Sequence, residues 1–133
     1  MPRAKKAPVA PTSSPALLRT LDVIGGKWTV PILHALLGGT RRFGQLQSAL
    51  GGVSPKMLIA RLRELEQQGF VTRTMYPEIP PRVEYALTDL GRTLKPIIDA
   101  MEAWGESYGD ANEQHRTAQA TRKAIEKENA SCR

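Results

Sequence analysis

Apolar residues fall along this chain first into helical periods, then into strict alternation, then into a helical period again. Leu17, Leu18, Leu21 and Ile24 recur at helical spacing until Gly25-Gly26 interrupts them, which predicts a first helix. Lys27 to Leu37 carries Trp28, Ile32, Leu33, Leu36 and Leu37 as one apolar stripe. Pro31 is tolerable there because it falls in the first turn, and Gly38-Gly39 stops this second helix. Phe43, Leu46 and Leu50 suit a short third helix ending at Gly51-Gly52. Ser54-Pro55 opens a fourth, since the serine accepts from orphan amides and the proline has none to satisfy. Leu58, Leu62 and Leu65 form its buried face, and Gly69 closes it. Two helices joined by Gly51-Gly52-Val53 match a helix-turn-helix.

From Phe70 the period becomes two. Phe70, Thr72, Thr74 and Tyr76 alternate with Val71, Arg73 and Met75, and Val83, Tyr85 and Leu87 alternate with Arg82, Glu84 and Ala86. Pro77-Glu78-Ile79-Pro80-Pro81 between them cannot continue a ladder, which predicts a hairpin with a stiff tip, a wing on the helix-turn-helix. Thr88 is placed to cap a last helix that Pro96 should kink. Along it Leu94, Ile97, Met101, Trp104 and Tyr108 repeat at 3-4-3-4 spacing, the rhythm of a helix seam. The stripe would either cover its own core or face a second subunit. The second is favoured, because these are more large residues than a thin core absorbs, and Leu17, Leu18 and Leu21 of the first helix would join it. The fold class expected is α+β, mainly α: a winged helix-turn-helix with N- and C-terminal dimerisation helices.

The flanks differ from this middle. Residues 1–14, rich in proline and alanine, carry Arg3, Lys5 and Lys6 and no anion, and read as a flexible basic arm. Residues 15–109 are the winged-helix and dimerisation domain. Residues 110–133 are polar with no clear apolar face, a frayed helix or a disordered tail. The net charge of +6 suits an anionic partner, but residues 15–109 hold eleven cations against nine anions, so the placement of the cations has to carry the case. No apolar run approaches the roughly 20 residues that span a bilayer, and the start lacks the apolar core of a signal peptide, so no membrane role and a cytoplasmic location are expected. Cys132 is alone, which leaves no disulfide within the chain and no cysteine zinc site, and no metal or other cofactor is expected. His34 and His115 read as ordinary surface or satisfied histidines.

A reading helix presents its N-terminal residues to base edges in the major groove. With Leu58, Leu62 and Leu65 buried, a rotation of about 100° per residue turns Lys56, Ala60 and Arg63 outward, puts Ile59 and Arg61 on the flanks, and leaves Ser54 and Pro55 at the tip. On charge alone this would be a solvated helix with Arg61 paired to Glu64; the helix-turn-helix context favours DNA. Arg82 at the wing's edge is placed for a minor groove or a phosphate, while Glu78 argues against a wholly DNA-facing tip. Lys27, Arg41 and Arg42 stand where they would hold phosphates without reading sequence. Trp28 reads as a core anchor.

Four blocks in order, Asp22-Val-Ile-Gly-Gly-Lys-Trp-Thr29, Arg42-Phe43, Tyr76-Pro-Glu-Ile-Pro-Pro-Arg-Val-Glu-Tyr85 and Leu87-Thr-Asp-Leu-Gly91, make residues 15–109 resemble the HxlR-type transcriptional regulators, relatives of the MarR group. The resemblance implies a cytoplasmic dimeric winged helix whose first and last helices build the interface and whose helix at 54–68 reads double-stranded operator DNA. Many members of that family place a cysteine before the proline that opens the first helix, and some sense oxidants or electrophiles with it. Here that residue is Ser14, so a thiol switch has nothing to stand on; the alternatives left for control are a small-molecule effector, in an apolar pocket lined by residues such as Trp28, Met101 and Trp104, or a constitutive regulator without any ligand.

No nucleophile–base pair, carboxylate dyad, phosphate loop or metal cluster appears at a recognisable spacing, which speaks against an enzyme. A winged helix used only for protein–protein interaction is the main alternative; Lys56, Arg61, Arg63 and Arg82 argue against it, because an interaction-only helix needs no outward cations. RNA binding would call for exposed aromatic platforms, and most of the seven aromatic residues lie at apolar-face positions.

Overall fold

Helix starts and stops in the chain follow local chemistry closely. The computed structural model describes residues 14–131. They form the order α1 (Pro15–Ile24), α2 (Thr29–Leu37), β1 (Arg41–Arg42), α3 (Phe43–Leu50), α4 (Pro55–Gln67), β2 (Val71–Tyr76), β3 (Arg82–Leu87), α5 (Asp89–Arg92) and α6 (Lys95–Ser131). Residues up to Thr93 make one unit and those from Leu94 another. Residues 1–13 of the basic arm and Cys132 lie outside the described residues.

In the first unit, α1 and α4 share one device. Ser14 Oγ accepts from the Leu17 amide at 3.2 Å and Ser54 Oγ from the Met57 amide at 3.1 Å, each followed by a proline at the first helical position. Caps of this kind contribute about 1 kcal/mol each. The α3–α4 turn needs positive φ at two successive residues, 54° at Gly51 and 83° at Gly52, which glycines adopt without strain. From α4 the leucines 58, 62 and 65 enter the core with Ile32, Leu33, Leu36 and Leu46, all at most 2 % exposed. Burying such a side chain stabilises by about 1.5–3 kcal/mol, which is what holds α4 to the rest of the unit.

Strands β2 and β3 pair antiparallel from Val71–Leu87 to Tyr76–Arg82, and β1 adds Arg41–Tyr85 and Arg42–Glu84, giving a sheet of order β1-β3-β2. The fold is thus a mainly helical winged helix with a three-stranded antiparallel sheet. β1 has two residues, too few for any period to announce it. Trp28 is the N-cap residue of α2, which starts at Thr29, and is half-buried.

The single capped helix expected after the wing is two helices. Thr88 caps the four-residue α5, its hydroxyl accepting from the Gly91 amide at 3.0 Å and donating to the Gly69 carbonyl at 2.6 Å. The second unit then begins with α6. Pro96 falls in its first turn, where a missing amide costs nothing, so it opens the helix instead of kinking it. Leu94 lies before α6 and is buried together with Ile98, one helical turn on, so it does not sit on an exposed seam. Ile97, Met101, Trp104 and Tyr108 do remain exposed, and the Trp104 and Tyr108 rings stack with centroids 5.0 Å apart. The polar segment from residue 110, expected as a frayed helix or a disordered tail, is helical here through Ser131, consistent with its helix-forming composition. Among the described residues no helix is long and apolar enough to cross a membrane.

Candidate nucleic-acid interface

The exposed side of α4 is divided by rotation into an outward strip and two flanks, and the neighbours of each flank decide what its side chains can reach. On one flank Ile59 and Arg63 line a groove of ≈ 450 Å³ against the sheet, whose wall is Phe43, Val83 and Tyr85. Arg73 from β2 enters the same groove, with Glu66 as its one carboxylate. Arg73 was not among the residues expected on DNA. Its signal was present in the strand alternation, which puts it on the same side of β2 as Val71 and Met75, the side that meets α4.

Phe43 and Val83 also border a second hollow of ≈ 510 Å³ at the wing, where Arg42 faces Glu78 and Arg82. The two hollows share Phe43 and Val83 in their linings, but the strand register sets Arg73, Val83 and Tyr85 on one face of the sheet and Arg42, Glu84 and Arg82 on the other. Arg42 is exposed, and its amide donates to Gln45 Oε1 at 2.8 Å, tying the start of α3.

Arg82 is held in place. Its guanidinium lies 3.9 Å from the Tyr76 ring centroid, donates to Glu78 at 3.1 and 3.2 Å, and donates to Glu84 at 2.6 Å. Hydrogen bonding to Glu78 more than offsets desolvation, and with Glu84 it pushes the Arg82 pKa above the usual arginine value. A cation so engaged stiffens the wing, and it offers phosphate a charge that two carboxylates already share.

Arg61 is on the opposite flank of α4. Its Nη1 donates to both carboxylate oxygens of Glu64, each at 2.9 Å, and Arg61 borders a cavity of ≈ 320 Å³ at the α1–α2 turn with Asp22, Gly25, Gly26 and Thr29. Its Nε is buried and has no hydrogen-bond partner among the described residues. Arg61 therefore turns toward the turn that joins α1 to α2 and away from the wing-side groove. Arg41 is half-buried, with Nε donating to the Ala35 carbonyl at 3.5 Å, so it folds over the C-terminal end of α2 and complements that end's dipole. Lys27 is exposed at the α1–α2 turn with Nζ 5.5 Å from the Trp28 ring centroid. Ser54, Pro55, Lys56 and Ala60 are exposed along α4.

The apolar stripe of α1 is uncovered. Leu17, Leu18 and Leu21 are 60, 39 and 51 % exposed, and no residue of this helix is buried.

Comparison with known proteins gives this architecture a family. Residues 23–113 match the model of the HxlR-like helix-turn-helix. The chain is 44% identical over 108 residues, 81% of its length and 82% of the relative's, to the uncharacterised HTH-type transcriptional regulator YdeP of Bacillus subtilis (strain 168). It is 45% identical over 98 residues, 74% of its own length and 78% of the relative's, to YybR of the same organism, which carries the same description. Among solved structures it is similar to the redox regulator HypR in its reduced form, with TM-score 0.70, 43% identity and coverage of 74% of this chain and 98% of that one. It is also similar to a MarR-family transcriptional regulator from Porphyromonas gingivalis W83, with TM-score 0.68, 37% identity and coverage of 75% and 97%. With a helix-turn-helix, a wing and this likeness across most of its length, the chain belongs to the HxlR-like helix-turn-helix family of DNA-binding transcription regulators.

Proposed function

We propose that this protein binds double-stranded operator DNA sequence-specifically as a homodimer, with α4 in the major groove and the wing beside it. The observation that carries the reading is the groove in which Arg63 and Arg73 meet beside the outward face of α4, where Lys56 stands exposed near the helix tip. A capped helix whose first turn is exposed and cationic is suited to approach base edges, and cations on either side release counterions from phosphates. In this reading Ser54, Pro55, Lys56, Ile59, Ala60 and Arg63 meet the groove, and Lys27, Arg42 and Arg73 meet backbone phosphates. Arg41, Arg61 and Arg82 hold the elements that carry those residues.

Dimerisation rests on the uncovered stripes: Leu17, Leu18 and Leu21 on α1, and Ile97, Met101, Trp104 and Tyr108 on α6. Soluble proteins rarely leave this much apolar surface to water. A two-fold dimer presents two reading helices, so the operator is a pseudo-palindrome with half-sites roughly 34 Å, or a multiple of it, apart. HypR is a redox regulator, but here Ser14 caps α1 through its hydroxyl. Control by a small apolar ligand is the form that remains. Met101 and Trp104, exposed on the apolar face of α6, are residues it would meet.

Selection of duplexes from a random pool, followed by binding titrations and sedimentation, tests this function. Recovery of a pseudo-palindromic site bound by two chains is expected. A monomer that retains no sequence preference at any salt concentration would overturn it.

A further inference from the structure

The outward strip of α4 is not purely cationic. A rotation of about 100° per residue sets Ile59, Arg63, Lys56 and Ala60 side by side in that order, so two apolar side chains lie at the edges of a pair of cations. Ile59 keeps 38 % of its surface exposed, although Leu58 and Leu62 beside it are fully buried. It therefore does not complete the core, and the part of it that borders the groove of Arg63 and Arg73 faces solvent. In a helix a β-branched side chain is almost confined to one rotamer, so its methyl groups are held at a defined position without a partner to fix them.

What such a group meets in a major groove is narrow in chemistry. Base edges there present acceptors, amino donors and one apolar group, the C5-methyl of thymine. An isoleucine pressed on an amino group or a purine nitrogen would strip it of water and give no hydrogen bond in return. Pressed on a thymine methyl, it removes apolar surface from water on both sides. Arg63 lies beside it on the same strip, and Arg73 across the groove supplies the complement to a phosphate that flanks that base.

We propose that Ile59, with Ala60 on the other edge of the strip, is a specificity-determining residue that reads a thymine C5-methyl in each operator half-site. This rests on α4 being the DNA-reading helix. The small Ala60 side chain lets the helix approach the base pairs, and the fixed Ile59 side chain selects the methyl.

Deoxyuridine differs from thymidine only by that methyl. With the full chain and a duplex it has itself selected, each thymine is replaced in turn by deoxyuridine and the affinity is measured. At one thymine per half-site the loss should be about four-fold, the factor that burial of one methyl supplies. Ile59→Ala should bind the thymine and uracil duplexes equally at that position, and Ile59→Val should keep part of the difference. Binding of the selected duplex that no uracil weakens would overturn the methyl reading and leave the DNA-binding function standing. A uracil loss of equal size in Ile59→Ala and in the parent would overturn it too, because some other group would then sense the methyl. Failure to select any duplex would instead sink DNA binding itself. The uracil series uses the unaltered protein, so it reports whether or not a variant folds.

Discussion

Gly91 lies where α5, the single helical turn after the wing, meets the root of the first wing strand. A Cβ added there would stand 2.3 Å from the Phe70 carbonyl oxygen, 3.3 Å from its carbonyl carbon and 3.1 Å from Leu87 Cδ2. Two of these three atoms are backbone, so no rotamer change relieves the overlap. The Phe70 carbonyl would have to retreat by about 1 Å to restore van der Waals contact. That carbonyl accepts the Thr88 amide at 3.1 Å, and Thr88 in turn caps α5 and binds the Gly69 carbonyl. Overpacking costs about 1–3 kcal/mol and the weakened hydrogen bond about 1 kcal/mol more, against a gain from helix propensity that stays under about 1 kcal/mol in so short a helix. Gly91→Ala should therefore destabilise by about 2 kcal/mol net. Gly44→Ala is the control: Gly44 is helical in α3 and a Cβ there meets nothing within 4 Å. It should be neutral or gain about 0.5–1 kcal/mol. Urea unfolding followed by circular dichroism, at one protein concentration because self-association shifts apparent stability, measures both. Equal midpoints for Gly91→Ala and Gly44→Ala would refute the argument from close approach.

Three further outcomes separate the roles assigned to surface residues. Arg42→Ala and Arg73→Ala should each flatten the slope of log affinity against log salt by about one unit, whereas Arg61→Ala, already paired to Glu64, should leave the slope unchanged; a flatter slope in Arg61→Ala would place that residue on DNA after all. Leu21→Asp and Trp104→Glu each put a charge into an uncovered apolar stripe, and sedimentation at micromolar concentration should find monomers; a dimer in both variants would exclude α1 and α6 from the interface. Diamide or hydrogen peroxide should not change operator affinity, since Ser14 has no thiol, and a loss that disappears in Cys132→Ser would show that the lone cysteine senses oxidants.

Local patterns in the chain were enough for the winged helix because each element carries its own period and its own punctuation. Ser54-Pro55, the leucines of α4 and the proline-rich wing tip announce themselves without reference to distant residues, since caps, stripes and missing amides act within a few positions. The same reasoning placed Lys56, Ala60 and Arg63 outward, because rotation about a helix axis is fixed once its buried face is known. Other features depended on what lies opposite in space. β1 exists only because Arg41 and Arg42 find Tyr85 and Glu84 on β3, a pairing across more than forty residues. The partner that an arginine finds within the fold depends on the same thing. Arg61 turns to Glu64 and the α1–α2 turn, Arg41 to a carbonyl of α2, and Arg82 to two glutamates and a tyrosine. Arg73 joins the surface only once β2 is laid against α4. Charge is written in the sequence, but the partner of a charge is set by the fold, because electrostatic contact falls off over a few ångströms and the chain brings remote residues that close only after its core has formed.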